Sequence, residues 1–189
     1  MRRAIVRAPI AMLRGSATLC RRLHNIVLIS PDIPGNTGSI GRTAMATGCR
    51  LHLVHPLGFS TDEKSFRRAG LDYWSRLDVR EHENWDAFVD AEFGSGIAGP
   101  TRPSAWLFTT KASMRPHWEG DYKDGDYLLF GSETRGAPDH VHEWISERFG
   151  EHCRLCLPMR PEARSLNLAV SVGVAVYEAQ RQLAARVQA

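Results

Sequence analysis

No apolar run in the 189 residues approaches the ~18 residues that a membrane span requires, so a transmembrane helix is excluded. Cysteine is scarce, with four in the chain, too few for a disulfide scaffold. Gly 16 and Pro 10 exclude collagen-like and low-complexity chains. Acid is missing from the start: residues 1–31 hold Arg2, Arg3, Arg7, Arg14, Arg21 and Arg22, and the first carboxylate is Asp32. Those six arginines outweigh the formal net charge of +3, so the remaining body is slightly acidic. A nucleic-acid site on it must therefore be a local patch, because the overall charge favours none.

Several chemical signatures are also absent. There is no GxxxxGK[ST] phosphate loop and no GxGxxG after the first strand, which removes the anchors of triphosphate and dinucleotide binding. No HExxH occurs, and His140 and His142 read as surface residues of one helix. Cys153 and Cys156 form a CxxC, yet Cys20 and Cys49 are isolated and supply no second ligand pair. No metal is expected on this count. Buried small hydrophobes in a reducing compartment suit these cysteines.

What is present is ordinary globular composition, 43% apolar and 24% charged, at the size of one domain. Residues 1–23 form a basic extension and residues 24–189 a single domain. The extension is Arg-rich, contains Ser and Thr, and lacks a continuous apolar core, which is transit-peptide composition. A disordered tail, a true start at Met12 or later, and a basic arm on RNA fit the same composition. The expected location is cytoplasmic, or a mitochondrion or plastid if residues 1–23 are a transit peptide.

From Asn25 strands and helices alternate. Strands are expected at 25–30, 51–55, near 77–79, and at 105–110, 127–131 and 153–158. Helices are expected at 39–48, 60–70, 84–93, 138–149 and 164–187, with PDIPGNTG read as a turn before the first. Residues 94–103 form the long connection. This alternation predicts an α/β fold, a mainly parallel sheet with helices on both faces. Ligands then sit beyond the carboxyl ends of the strands. The loops there are PDIPGNTG, TTK, GSETRG and LPMRPEARS, rich in glycine, proline and small polar residues.

Three of these loops carry chemistry-bearing residues. Asn36-Thr37-Gly38 precedes Arg42, and Gly131 to Gly136 contains Glu133. Leu157-Pro158-Met159 leads to Arg164, Ser165, Leu166 and Asn167. Taken singly, each serves equally well as a tight turn or a helix cap. In order and in strand context, N-T-G-x-I-x-R, G-x-E-x-x-G and L-P-M…S-L-N resemble the three motifs of the SPOUT class of RNA methyltransferases. Within that class the match is to the SpoU-type ribose 2′-O-methyltransferases. HPLGF (55–59), FRRAGLDYW (66–74) and VYEAQRQL (176–183) extend the similarity from about Asn25 to Gln182. Without a separate RNA-binding domain, the chain resembles the minimal TrmL-like subgroup, which methylates the wobble nucleotide of certain tRNAs.

The resemblance implies a homodimer, a C-terminal deep trefoil knot and S-adenosylmethionine bound in the knot loops. It places Phe108, Thr109, Thr110, Gly131, Glu133, Leu157, Met159, Ser165, Leu166 and Asn167 at the cofactor. Arg42 falls on the catalytic arginine of the family. Ala169-Val170 departs from the Ser-Asn that close relatives often carry, which touches extra polar contacts of that turn. For docking the tRNA anticodon stem-loop, Asn36, Lys64, Arg67, Arg68, Arg160 and Arg164 are the candidates, and each is equally a solvated helix-face or loop residue. Another RNA such as rRNA, or a silent knotted RNA-binding protein, are the competing readings.

Overall fold

The structure, a computed structural model, describes residues 24–60, 74–94, 103–110, 113 and 115–188. Six strands build one sheet: β1 (Asn25–Ile29), β2 (Arg50–Val54), β3 (Val79–His82), β4 (Ala105–Phe108), β5 (Tyr127–Phe130) and β6 (Arg154–Leu155). Their order across the sheet is β3-β2-β1-β5-β4-β6, and every pairing is parallel. The central strands β1, β2, β4 and β5 are buried at every position, which explains the near-continuous apolar runs of β1, β4 and β5; in β2 the buried set includes the polar Arg50 and His52.

Among the described residues, four α-helices cover the sheet: α1 (Pro34–Thr47), α2 (Trp85–Phe93), α3 (Asp139–Phe149) and α4 (Leu168–Gln188). The β1–α1–β2 crossover runs towards one edge, whereas β3–α2–β4 and β5–α3–β6 run towards the other. Right-handed crossovers then place α1 on one face and α2 and α3 on the opposite one. Packing agrees. The ring of Trp144 in α3 meets Trp85 and Phe93 of α2 edge-on at 5.3 and 5.2 Å. Gln180 of α4 donates to the Thr47 carbonyl at the end of α1, so α4 lies along α1.

Two helix starts differ from the sequence expectation. The first helix begins at Pro34, five residues earlier than expected, because the PGNTG segment folds as its first turn. Proline suits the first helical position, where its missing N–H would be unpaired anyway. The last helix begins at Leu168 rather than 164, which leaves Ser165, Leu166 and Asn167 in the preceding loop. The last strand is only Arg154–Leu155; Cys153 belongs to a short 3-10 turn, and Cys156 bridges to Pro116. The third strand falls at Val79–His82, just beyond the expected position. The helix expected at 60–70 lies outside the described residues. Among the described residues, no helix is long and apolar enough to cross a membrane.

Candidate active site at the strand carboxyl ends

The chain leaves β1 through Ser30, which adopts the left-handed φ of +50°, and turns into Pro31 and Asp32. From the neighbouring β5 it enters the loop 131–136, closed on itself by reciprocal Ser132 and Gly136 backbone hydrogen bonds of 3.1 and 2.9 Å. Gly136 takes φ +73°, and a Cβ on Gly131 would lie 2.0 Å from the Ala137 nitrogen. Only glycine fits at both places.

This closed loop presents Glu133 to the start of α1. One carboxylate oxygen accepts the Asp32 backbone N–H at 2.7 Å, and the other accepts the Asn36 amide at 2.8 Å. The Asn36 amide oxygen meets the third loop, where it accepts from Asn167 Nδ2 at 2.9 Å. Asn167 in turn uses its own oxygen to accept the Ala169 and Val170 N–H groups at 2.9 and 3.3 Å, capping α4. Every polar atom along the Glu133–Asn36–Asn167 chain is accounted for. Residues 36, 133 and 167, far apart in sequence, thus form one connected cluster.

One expected role changes. Asn36, a candidate cap of α1, does not cap it; the N-cap is Ile33, which makes no side-chain bond. Glu133, placed at the cofactor by resemblance, spends both oxygens on holding the β1 and β5 loops together. Asp32 was not singled out from the sequence, yet its carboxylate accepts from Thr134 Oγ1 at 2.6 Å and faces Arg135 at 3.8 Å. A lone Asp in a proline-rich turn gives no sequence signal of such a role.

Of the remaining candidates, Phe108, Thr109 and Thr110 lie at the carboxyl end of β4, and Leu157 and Met159 follow β6. Phe108 ends β4 and stacks on Phe130 of β5, rings nearly parallel at 4.7 Å. Thr109 follows, its N–H bonded to the Leu155 carbonyl at 2.9 Å, and Thr110 is exposed beyond it. Leu157 and Met159 are half-buried in the loop after β6, while Arg160, Arg164, Ser165 and Leu166 are exposed there. Arg42 is exposed on α1, six residues beyond Asn36. Lys64, Arg67 and Arg68 lie outside the described residues. On the other side of the 131–136 loop an open cleft of about 940 Å³ is lined by Trp85, Trp144, His55 and Arg135, which the sequence did not foreshadow.

A parallel sheet whose ligand-accessible end is built from three interlocked loops defines a class, the α/β proteins that bind at strand carboxyl ends. Residues 24–177 match the SpoU rRNA Methylase family, and the chain belongs to that family. A tRNA (cytidine(34)-2'-O)-methyltransferase of Burkholderia ambifaria is 47% identical over 160 residues, covering 85% of this chain and 96% of the relative. The enzyme of the same name from Saccharophagus degradans is 47% identical over 161 residues, with the same coverage. A solved structure concerned with 2-OH methylation of C/U34 on tRNA is 42% identical, covers 87% of this chain and 98% of its own, and superposes with a TM-score of 0.73.

Proposed function

We propose that the protein methylates the ribose 2′-hydroxyl of the wobble nucleotide, cytidine or uridine 34, in tRNA, with S-adenosylmethionine as methyl donor. The Glu133–Asn36–Asn167 chain carries this reading. It joins the three motif loops at the end of the sheet where ligands bind, in a chain that matches tRNA (cytidine(34)-2'-O)-methyltransferases over nearly their full length.

The residues present fit the donor. Half-buried Leu157 and Met159 and exposed Leu166 offer apolar contact to an adenine, and the loop backbones after β4, β5 and β6 offer its edge N–H and C=O groups. Thr109, Gly131 and Ser165 are small enough to let a ligand approach the backbone. When bound, S-adenosylmethionine supplies an electrophilic sulfonium methyl, so the chain needs to furnish orientation rather than bond-breaking power.

Arg42 supplies that orientation. A guanidinium has five donors and no acceptor and stays protonated, so it is a poor general base. It clamps the RNA phosphate beside the target ribose through paired hydrogen bonds and aims the 2′-oxygen, while a phosphate oxygen or water takes the proton. Positioning of this kind is worth roughly 7–11 kcal/mol of barrier. Arg160 and Arg164, with Lys64, Arg67 and Arg68, hold the anticodon stem-loop, while Asn36, a candidate for the same role, is spent on Glu133 and Asn167 and positions the loops beside the RNA.

The same reading includes a homodimer and a C-terminal knot. Val170, Val174 and Tyr177 stand one helical turn apart on α4 and are 51%, 40% and 58% exposed. Ile33, the N-cap of α1, and Met45 within α1 are also exposed. Such a stripe fits a second copy of the chain, and Val174→Asp is expected to give monomers in sedimentation. For the knot, the support is that the chain passes from the edge strand β6 back to α1, where Asn167 meets Asn36.

Transfer of labelled methyl from S-adenosylmethionine to purified tRNA, with rRNA as the competing substrate, tests the function. Label in tRNA alone is expected. Label in rRNA alone would favour the family description over the tRNA reading, and calorimetric failure to bind S-adenosylmethionine would leave a silent RNA-binding protein.

A further inference from the structure

Away from these loops, on the face covered by α2, three ligating side chains meet inside the protein. His52 comes from β2, His82 from β3 and Glu92 from α2, and all three are buried. One ligand atom from each lies within 4.8 Å of the others. His52 Nδ1 is 2.9 Å from His82 Nε2 and 3.9 Å from Glu92 Oε1. Those separations straddle the ~3.3 Å edge of a tetrahedron with metal bonds of 2.0–2.1 Å.

Hydrogen bonding fixes which atoms are offered. Asn25 Nδ2 donates to the Gly125 carbonyl at 2.8 Å, so Asn25 Oδ1 is the atom facing His52 Nε2 at 3.3 Å. His52 Nε2 therefore carries its hydrogen, and Nδ1 points its lone pair at His82 and Glu92. A histidine whose far N–H is held by a carbonyl oxygen has the posture of a metal ligand. Tyr127 Oη donates to Glu92 Oε2 at 2.6 Å, which turns Oε1 towards the histidines.

We propose that His52, His82 and Glu92 form a structural site for a zinc-class divalent ion, tying the edge strand β3 and helix α2 to β2. Two imidazoles and a carboxylate suit such an ion, whereas calcium and magnesium require oxygen sets. Without metal, His82 Nε2–H donates to His52 Nδ1; with metal, His82 binds as its Nδ1–H tautomer, one proton leaving Nε2 and one joining Nδ1. Arg80 holds the metal's place as counter-charge. Its Nη1 lies 2.8 Å from Glu92 Oε1, and it is 46% exposed, free to swing outward when an ion arrives. The site is independent of the methyl-transfer reading.

The test uses full-length protein freed of metal by a chelator and titrated with Co²⁺, then Zn²⁺. Expected are ligand-field bands in the visible that saturate at a single ion per chain and bleach with zinc, with a rise of several degrees in the heat-unfolding midpoint. His82→Gln is expected to abolish both. Arg80→Ala removes a competing cation and is expected to tighten cobalt binding severalfold, an effect that a purely hydrogen-bonded network does not produce. The proposal is overturned if wild type shows no saturable spectrum, or if thiolate bands place the ion at Cys153 and Cys156. If His82→Gln does not fold, Arg80→Ala decides, and unchanged or weaker binding in it overturns the proposal.

Discussion

Glu133 accepts two donors from one loop, and an amide in its place would turn an N–H towards one of them. Glu133→Gln is therefore expected to destabilise the protein by about 1–3 kcal/mol, the cost of an unsatisfied partly buried group. It should also lower methyl transfer, because Asn36 and Asn167 lose their anchor; thermal unfolding and transfer rates measured together check both. Arg42 belongs to a different case. Exposed on α1 and proposed as the clamp on RNA, it is tested by Arg42→Ala, which should cut transfer on the order of 100-fold, as loss of a positioned donor does. Arg42→Lys keeps the charge but not the paired geometry and is expected to fall between. Full turnover in the alanine variant would refute the clamp.

At the scale of elements, α4 begins where Asn167 caps it, and the same side chain reaches Asn36. Asn167→Ala should cost about 1 kcal/mol through the cap alone, and urea denaturation that shows more would measure the link to α1. Strands β1, β4 and β5 were legible because their apolar runs are short and unbroken, and the loops after them because each follows such a run. The start of α1 was not. Pro34, Gly35, Asn36 and Gly38 are turn formers by local preference, and the fixing contact comes from Glu133, 97 residues away. Likewise β6 is short because Cys156 turns to Pro116, a pairing that no local pattern announces. The His52, His82 and Glu92 cluster spans three elements at spacings that match no ligand motif, so only folding reveals it.

For the molecule as a whole, acid sensitivity follows from a buried histidine beside β1. His24 is 0% exposed, both ring nitrogens lack hydrogen-bond partners among the described residues, and burial lowers its pKa from 6.5 to about 4. Between those values the unfolded chain takes up a proton that the folded protein refuses, so stability falls as pH drops from 6.5 to 4 and levels off below. The slope from this one group approaches about 1.4 kcal/mol per pH unit. His24→Leu should make the stability profile shallower in that window, with His52 keeping part of the slope, and leave it unchanged above pH 7, as urea denaturation at several pH values would show. The larger claim is that interlocked loops at one end of the sheet aim a methyl group at one ribose of an RNA. Mass-spectrometric nucleoside mapping of tRNA incubated with the pure protein and S-adenosylmethionine tests it most directly. A single new 2′-O-methyl group at nucleotide 34 is predicted; a methylated base, a methyl at another position, or unmodified tRNA would contradict it.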